Sequence, residues 1–105
     1  MVHKRLICPE RVRDLPLQFS WVDQRFVRHH YIELCDHPTL ALYLFLITVS
    51  DAQGLSYYSD HSIGERLNME VSTLARARSW LVHLQLIAYQ APLYQVLALE
   101  DRQGD

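Results

Sequence analysis

Between Val71 and Leu86 the apolar residues Val71, Leu74, Ala77, Leu81 and Leu84 recur at intervals of three and four, the period of an α-helix with one buried stripe. Such a helix needs other elements to cover its stripe, and its opposite face is left to solvent or to a partner. Here that face carries Ser72, Thr73, Arg76, Ser79, Trp80 and His83. What flanks this helix therefore decides what the chain can become.

Upstream, Asp36-His37-Pro38 reads as a helix start, an acidic N-cap followed by proline in the first turn. Thr39 to Ser50 is apolar on nearly every face, which predicts a helix buried all round. Asp51-Ala52-Gln53-Gly54 ends it, with Gly54 suited to a left-handed conformation. Leu55–Tyr58 reads as a short strand, and Ser59 or Asp60 caps a helix from Asp60 to Leu67 with Ile63 and Leu67 on one stripe. Asn68-Met69-Glu70 is a tight connection without glycine. Downstream, 87–90 and 93–99 are strand-like runs around a tip at Ala91-Pro92, the pattern of a hairpin. Earlier in the chain, 15–20 reads as a short edge strand limited by Pro16, and 21–34 as a short helix followed by an extended piece.

The fold class expected from this order is mainly α with a small antiparallel β-sheet (α+β), arranged as a winged helix-turn-helix. The chain divides into a basic N-terminal arm over 1–14, read as flexible, one domain over 15–99, and an acidic tail over 100–105. Half of the 105 residues are apolar, enough for a core, and only seven are Gly or Pro. No run approaches the ~18 apolar residues of a membrane span. Pro9, Glu10, Arg11 and Arg13 interrupt any signal-peptide core, and Cys8 and Cys35 make a poor disulfide framework. A cytoplasmic protein with no membrane partner and reduced cysteines is expected.

Three passages, SYYSDHSIGERLN, STLARARSWLVHLQLIAY and PLYQVLAL, give the chain a resemblance to the winged helix-turn-helix family. The likeness is greatest to replication initiators and transcription regulators of bacterial plasmids and mobile elements. It spans about residues 37–99. The resemblance implies a partner in double-stranded DNA, with Ser72, Thr73 and Arg76 at base- or phosphate-contacting positions. A helix fits the major groove, small hydroxyls near a helix N-terminus can bond phosphate, and arginine can bond guanine O6 and N7.

Charge is distributed to suit that reading in part. Residues 1–30 hold six basic residues against three acidic ones, a net of +3, whereas 31–105 hold four against nine, a net of −5. The tip Gln90-Ala91-Pro92 carries no charge, so phosphate attraction falls to the basic N-terminal region, Arg25 and Arg28 included. Glu65 and Glu70 lie close to the proposed DNA side and repel phosphate, which predicts weak, strongly salt-dependent binding.

Other chemistries find little support. His29, His30, Cys35 and His37 include metal-ligating types, but their spacing is loose and no Cys-x-x-Cys occurs. No nucleophile elbow, phosphate loop or H-E-x-x-H is present, so no enzyme activity, cofactor or small-molecule ligand is expected. If both faces of the last strand are apolar, one can meet a second subunit, and with Trp21, Phe26 and Tyr31 this motivates a possible homodimer. Two functions follow: a DNA-binding regulator or replication-associated factor, or a winged-helix assembly module without DNA contact.

Overall fold

The structure, a computed structural model, describes residues 4–14 and 16–99. Its elements are α1 (Arg25–Arg28), α2 (His37–Val49), β1 (Leu55–Tyr57), α3 (Asp60–Leu67), α4 (Val71–His83), β2 (Ile87–Gln90) and β3 (Leu93–Val96), with single 3-10 turns at Pro9–Arg11 and Ile32–Leu34. The class is α+β. The three strands form one antiparallel sheet in the order β1-β3-β2.

α2 begins where the sequence says it should. Asp36 Oδ1 accepts the Thr39 N–H at 3.0 Å and the Thr39 hydroxyl at 2.6 Å, which satisfies one orphan donor of the first turn. α3 is capped the same way by Ser59, whose hydroxyl accepts the Ser62 N–H at 3.1 Å. The turn between α3 and α4 works through Asn68, left-handed at φ 52° and ψ 53°. The glycine that permits this turn lies inside α3: a Cβ on Gly64 would meet the Met69 carbonyl oxygen at 2.9 Å. Gly54, at φ +85°, lies against the backbone of Val96, to which its carbonyl is hydrogen-bonded.

One core holds these elements together. α2 contributes Leu42, Tyr43, Leu46 and Ile47; α3 contributes Ile63; α4 contributes Leu74, Ala77 and Leu81; Leu86, Ile87, Tyr94 and Leu99 close it from the sheet side. Each fully buried aliphatic side chain stabilises the fold by ~1.5–3 kcal/mol relative to exposure. Phe26 and Tyr31 belong to the same core, with Phe26 stacked on Tyr43 at 4.9 Å.

Several expectations need correction. α2 is not buried all round, because Leu44 and Thr48 face solvent. Val71 lies outside the apolar stripe at 62% exposure; a first-turn residue projects beyond the elements that α4 packs against. α4 stops at His83, since Gln85 adopts φ 61° and Leu86 turns back to donate its N–H to the Leu81 carbonyl. β3 ends at Val96, although the Leu97 N–H still reaches the Leu86 carbonyl at 3.0 Å. Residues 16–20 form no strand, and Leu15 lies outside the described residues. The piece after α1 is a 3-10 turn, not extended. The tail over 100–105 and residues 1–3 of the arm also lie outside the described residues.

Of the three aromatic residues read as dimer contacts, Phe26 and Tyr31 are buried within their own chain, whereas Trp21 is exposed. The sheet face that packs on the helices takes Ser56, Ile87, Tyr89, Tyr94 and Val96, while the outer face mixes Leu55, Tyr57 and Leu93 with Ala88, Gln90 and Gln95. Two of those six outer-face residues, Gln90 and Gln95, are polar, and each sits beside an apolar neighbour, Leu93 and Leu55 or Ala88. Among the described residues no helix is long and apolar enough to cross a membrane.

Candidate functional site

α4 divides the candidate residues by angle. With Leu74, Ala77 and Leu81 turned inward, Ser72, Arg76, Ser79 and His83 form an exposed row on the far side, spaced four, three and four. Thr73 and Trp80 lie on the flank of that row, Thr73 half-buried and Trp80 at 39% exposure. Five of the six α4 candidates are thus solvent-accessible on one side of one helix. The N-cap of α4, Glu70, makes no side-chain capping bond, unlike Asp36 on α2 and Ser59 on α3. The first N–H groups of α4 therefore remain able to donate to an outside acceptor, at the positive end of the helix dipole.

Arg76 is not a free cation. Its Nη1 donates to Asp36 Oδ2 at 2.7 Å across two helices, and the two side chains remain 57% and 48% exposed. The Thr39 hydroxyl, the Arg76 guanidinium and the Thr39 N–H together hold the Asp36 carboxyl down to about 2. Trp80 is likewise engaged: its Nε1–H donates to the Leu34 carbonyl at 2.6 Å, and its ring stacks on His83 at 4.9 Å. Trp80 thereby fastens the 3-10 turn of Ile32–Leu34 to α4, and its indole N–H has no second proton to offer a ligand.

Arg25 and Arg28 sit on the short helix α1 rather than on α4. Arg25 is held by Asp23, with Nη2 to Oδ2 at 2.6 Å and Nε to both carboxylate oxygens at 3.1 Å. This bond lowers the Asp23 pKa from its ordinary value. Arg25 lines a groove with Tyr43 and Ile47 on the later turns of α2 and with its C-cap Ser50, whereas Arg76 meets the N-cap of α2, Asp36. Arg28 is exposed. Arg25 and Arg76 thus lie near opposite ends of α2.

The acids near α4 are in the expected region. Glu65 and Glu70 border one shallow depression with Asn68 and Val71, and Glu65 is paired with His61 one turn earlier on α3. At the other end of the candidate list, His30 pairs with Glu33 at 2.9 Å. Among the described residues no group of three His, Cys, Asp or Glu side chains gathers as a metal ion requires.

One residue escaped the sequence reading. Arg78, two positions from Arg76, is only 14% exposed and donates from Nη1 to Asp60 Oδ1 at 2.7 Å and to the Tyr94 hydroxyl at 2.9 Å. Its guanidinium carbon lies 4.4 Å from the centre of the Tyr89 ring, within cation–π range. Burial works against its charge, but the bonds to Asp60 and Tyr94 outweigh that and push its pKa up. The signal was available: Arg78 follows Leu74 by four and precedes Leu81 by three, beside the buried stripe. The Asp36–Arg76 pair had no such signal, being 40 residues apart.

No family model, curated protein or solved structure matches this chain.

Proposed function

We propose that this chain is a winged helix-turn-helix protein that binds double-stranded DNA, with α4 as the helix that enters the major groove. The observation that carries the reading is the exposed row Ser72, Arg76, Ser79 and His83 on a helix whose other face is locked into the core. Two features support it. The order of elements from α2 to β3, with β1 beside β3 at the edge of the hairpin sheet, is compatible with a winged-helix layout. The uncapped N-terminus of α4 offers backbone N–H donors to phosphate. A role as regulator or replication-associated factor of a mobile element rests on the sequence resemblance alone.

The affinity is expected to be modest. Arg76 shares its charge with Asp36, the tip Gln90-Ala91-Pro92 is uncharged, and Glu65 and Glu70 stand near the same side. Phosphate contacts then fall to few groups, and binding is detectable chiefly at low ionic strength.

A second reading, assembly without DNA, is favoured by one observation: Leu17, Phe19, Trp21, Val22 and Val27 are all exposed. Exposed apolar surface of this kind commonly marks protein contacts. A gel shift across a salt series, paired with light scattering, separates the two. A duplex shift that fades with salt supports the DNA reading. No shift at any salt, with a defined oligomer in scattering, supports assembly.

A further inference from the structure

The pairing of Arg76 with Asp36 has a geometry beyond that of a common surface ion pair. Both residues are half exposed, so their attraction alone contributes little to stability. Asp36, however, is not free to follow the arginine. Its Oδ1 is held by the Thr39 N–H and the Thr39 hydroxyl, and Thr39 is fully buried. Only Oδ2 is left, and it receives Arg76 Nη1 at 2.7 Å. The arginine is thus anchored to the start of α2 through a carboxylate that cannot rotate away. A guanidinium is planar and carries five N–H donors in a fixed fork. Anchoring one nitrogen at the start of α2 narrows the range of positions that the other donors can take.

We propose that Asp36 is a positioning residue for Arg76, orienting its remaining guanidinium donors toward a base edge and cancelling the charge that would draw it to any phosphate. This inference rests on the reading of α4 as the duplex-contacting helix. A mobile arginine in that row would bind backbone and bases alike; a fixed one rewards only a base pair that presents acceptors in register, as guanine does with O6 and N7. Asp36 then contributes to discrimination while lowering indiscriminate affinity. The function class it names for the site is sequence-selective rather than general duplex binding.

The test is Asp36→Asn, alone and combined with Arg76→Ala, in the full chain. Asparagine caps helices about as well as aspartate, so the fold should survive, and a circular dichroism melt checks that it does. The wild-type chain first selects duplexes from a randomised pool, and each variant is then measured on selected and random duplexes across a salt series. The expected result for Asp36→Asn is tighter binding to random duplex, a salt slope steeper by about one unit, and a selected-to-random ratio lower by about tenfold. In the Arg76→Ala background the same change should leave the ratio unaltered. A ratio unchanged by Asp36→Asn overturns the proposal, because Asp36 is then an ordinary surface charge or a simple mask. An equal effect with and without Arg76 overturns it too, since Asp36 would act without the arginine. A wild-type chain that shifts no duplex at low salt overturns the reading of α4 itself, before any variant is made, and this inference with it.

Discussion

Arg76 and Arg78 stand two residues apart on the same helix and point to opposite ends of the physical scale. Arg78 is 14% exposed, with its donors on Asp60 and the Tyr94 hydroxyl and the Tyr89 ring beneath it. Arg76 is 57% exposed, with its one carboxylate partner also half in water. The first ties α4 to the start of α3 and to the sheet; removing it leaves a carboxylate and a buried phenol without their donor. The second stands in the surface row with Ser72, Ser79 and His83, where loss of its partner exposes nothing new. A rotation of about 160° around the helix axis separates the two positions, and that rotation turns one residue type from structural tie to surface group.

The predictions test whether that division holds. The largest effect belongs to the buried face that both arginines depend on. Leu81→Ala opens a cavity at a fully buried position and should cost ~2–5 kcal/mol in denaturant unfolding; a smaller loss would mean that α4 is not locked into the core. Arg78→Ala should follow at ~2 kcal/mol, the range of hydrogen bonds to charged groups. Lysine at that position should recover only part of it, because an ammonium does not reproduce the guanidinium fork. If Arg78→Ala is as mild as Arg76→Ala, the contrast between the two collapses.

Trp80→Phe should cost about 1 kcal/mol through the lost Nε1–H bond to the Leu34 carbonyl. Arg76→Ala is the smallest, ~0–1 kcal/mol in stability, yet it alone among these variants should weaken duplex binding by more than its loss of stability explains.

Acid sharpens the same comparison. The folded Asp36 carboxyl is lowered from 3.8 to about 2. A group depressed in the folded state stabilises the fold above its unfolded pKa and loses that contribution as pH falls through the folded value. The stability difference between wild type and Asp36→Asn should therefore be fully present well above pH 3.8 and shrink as the pH falls through 3.8 to about 2. A difference independent of pH across that window would mean that the ionised carboxylate is not what holds Arg76 and Thr39.

What the sequence could show follows the range of the interactions. The starts of α2 and α3, the stripe of Leu74, Ala77 and Leu81, and the hairpin around Ala91-Pro92 all depend on residues within a turn or two of one another. Local chemistry was enough for these. The end of α4 lies earlier than the pattern suggests because Leu84 and Leu86 continue an apolar period, while Gln85 between them is left-handed and the Leu86 N–H returns to the Leu81 carbonyl. The region before α2 was misread because residues 16–22 are arranged by contacts with later chain, such as the Ser20 hydroxyl donating to the Thr48 carbonyl. The candidate row on α4 was legible from its period, but the partners of Arg76 and Trp80 come from residues 40 and 46 positions away. A periodic pattern reports which face is outward; it does not report what already occupies that face.

The most direct test of the central claim is an amide chemical-shift titration of the isotope-labelled chain with a duplex at low salt. The account predicts shifts concentrated at Val71, Ser72, Thr73, Arg76, Ser79 and His83, the first turn and outer row of α4. Shifts confined to the groove lined by Leu17, Phe19, Trp21 and Arg25, or none at all on α4, would contradict it.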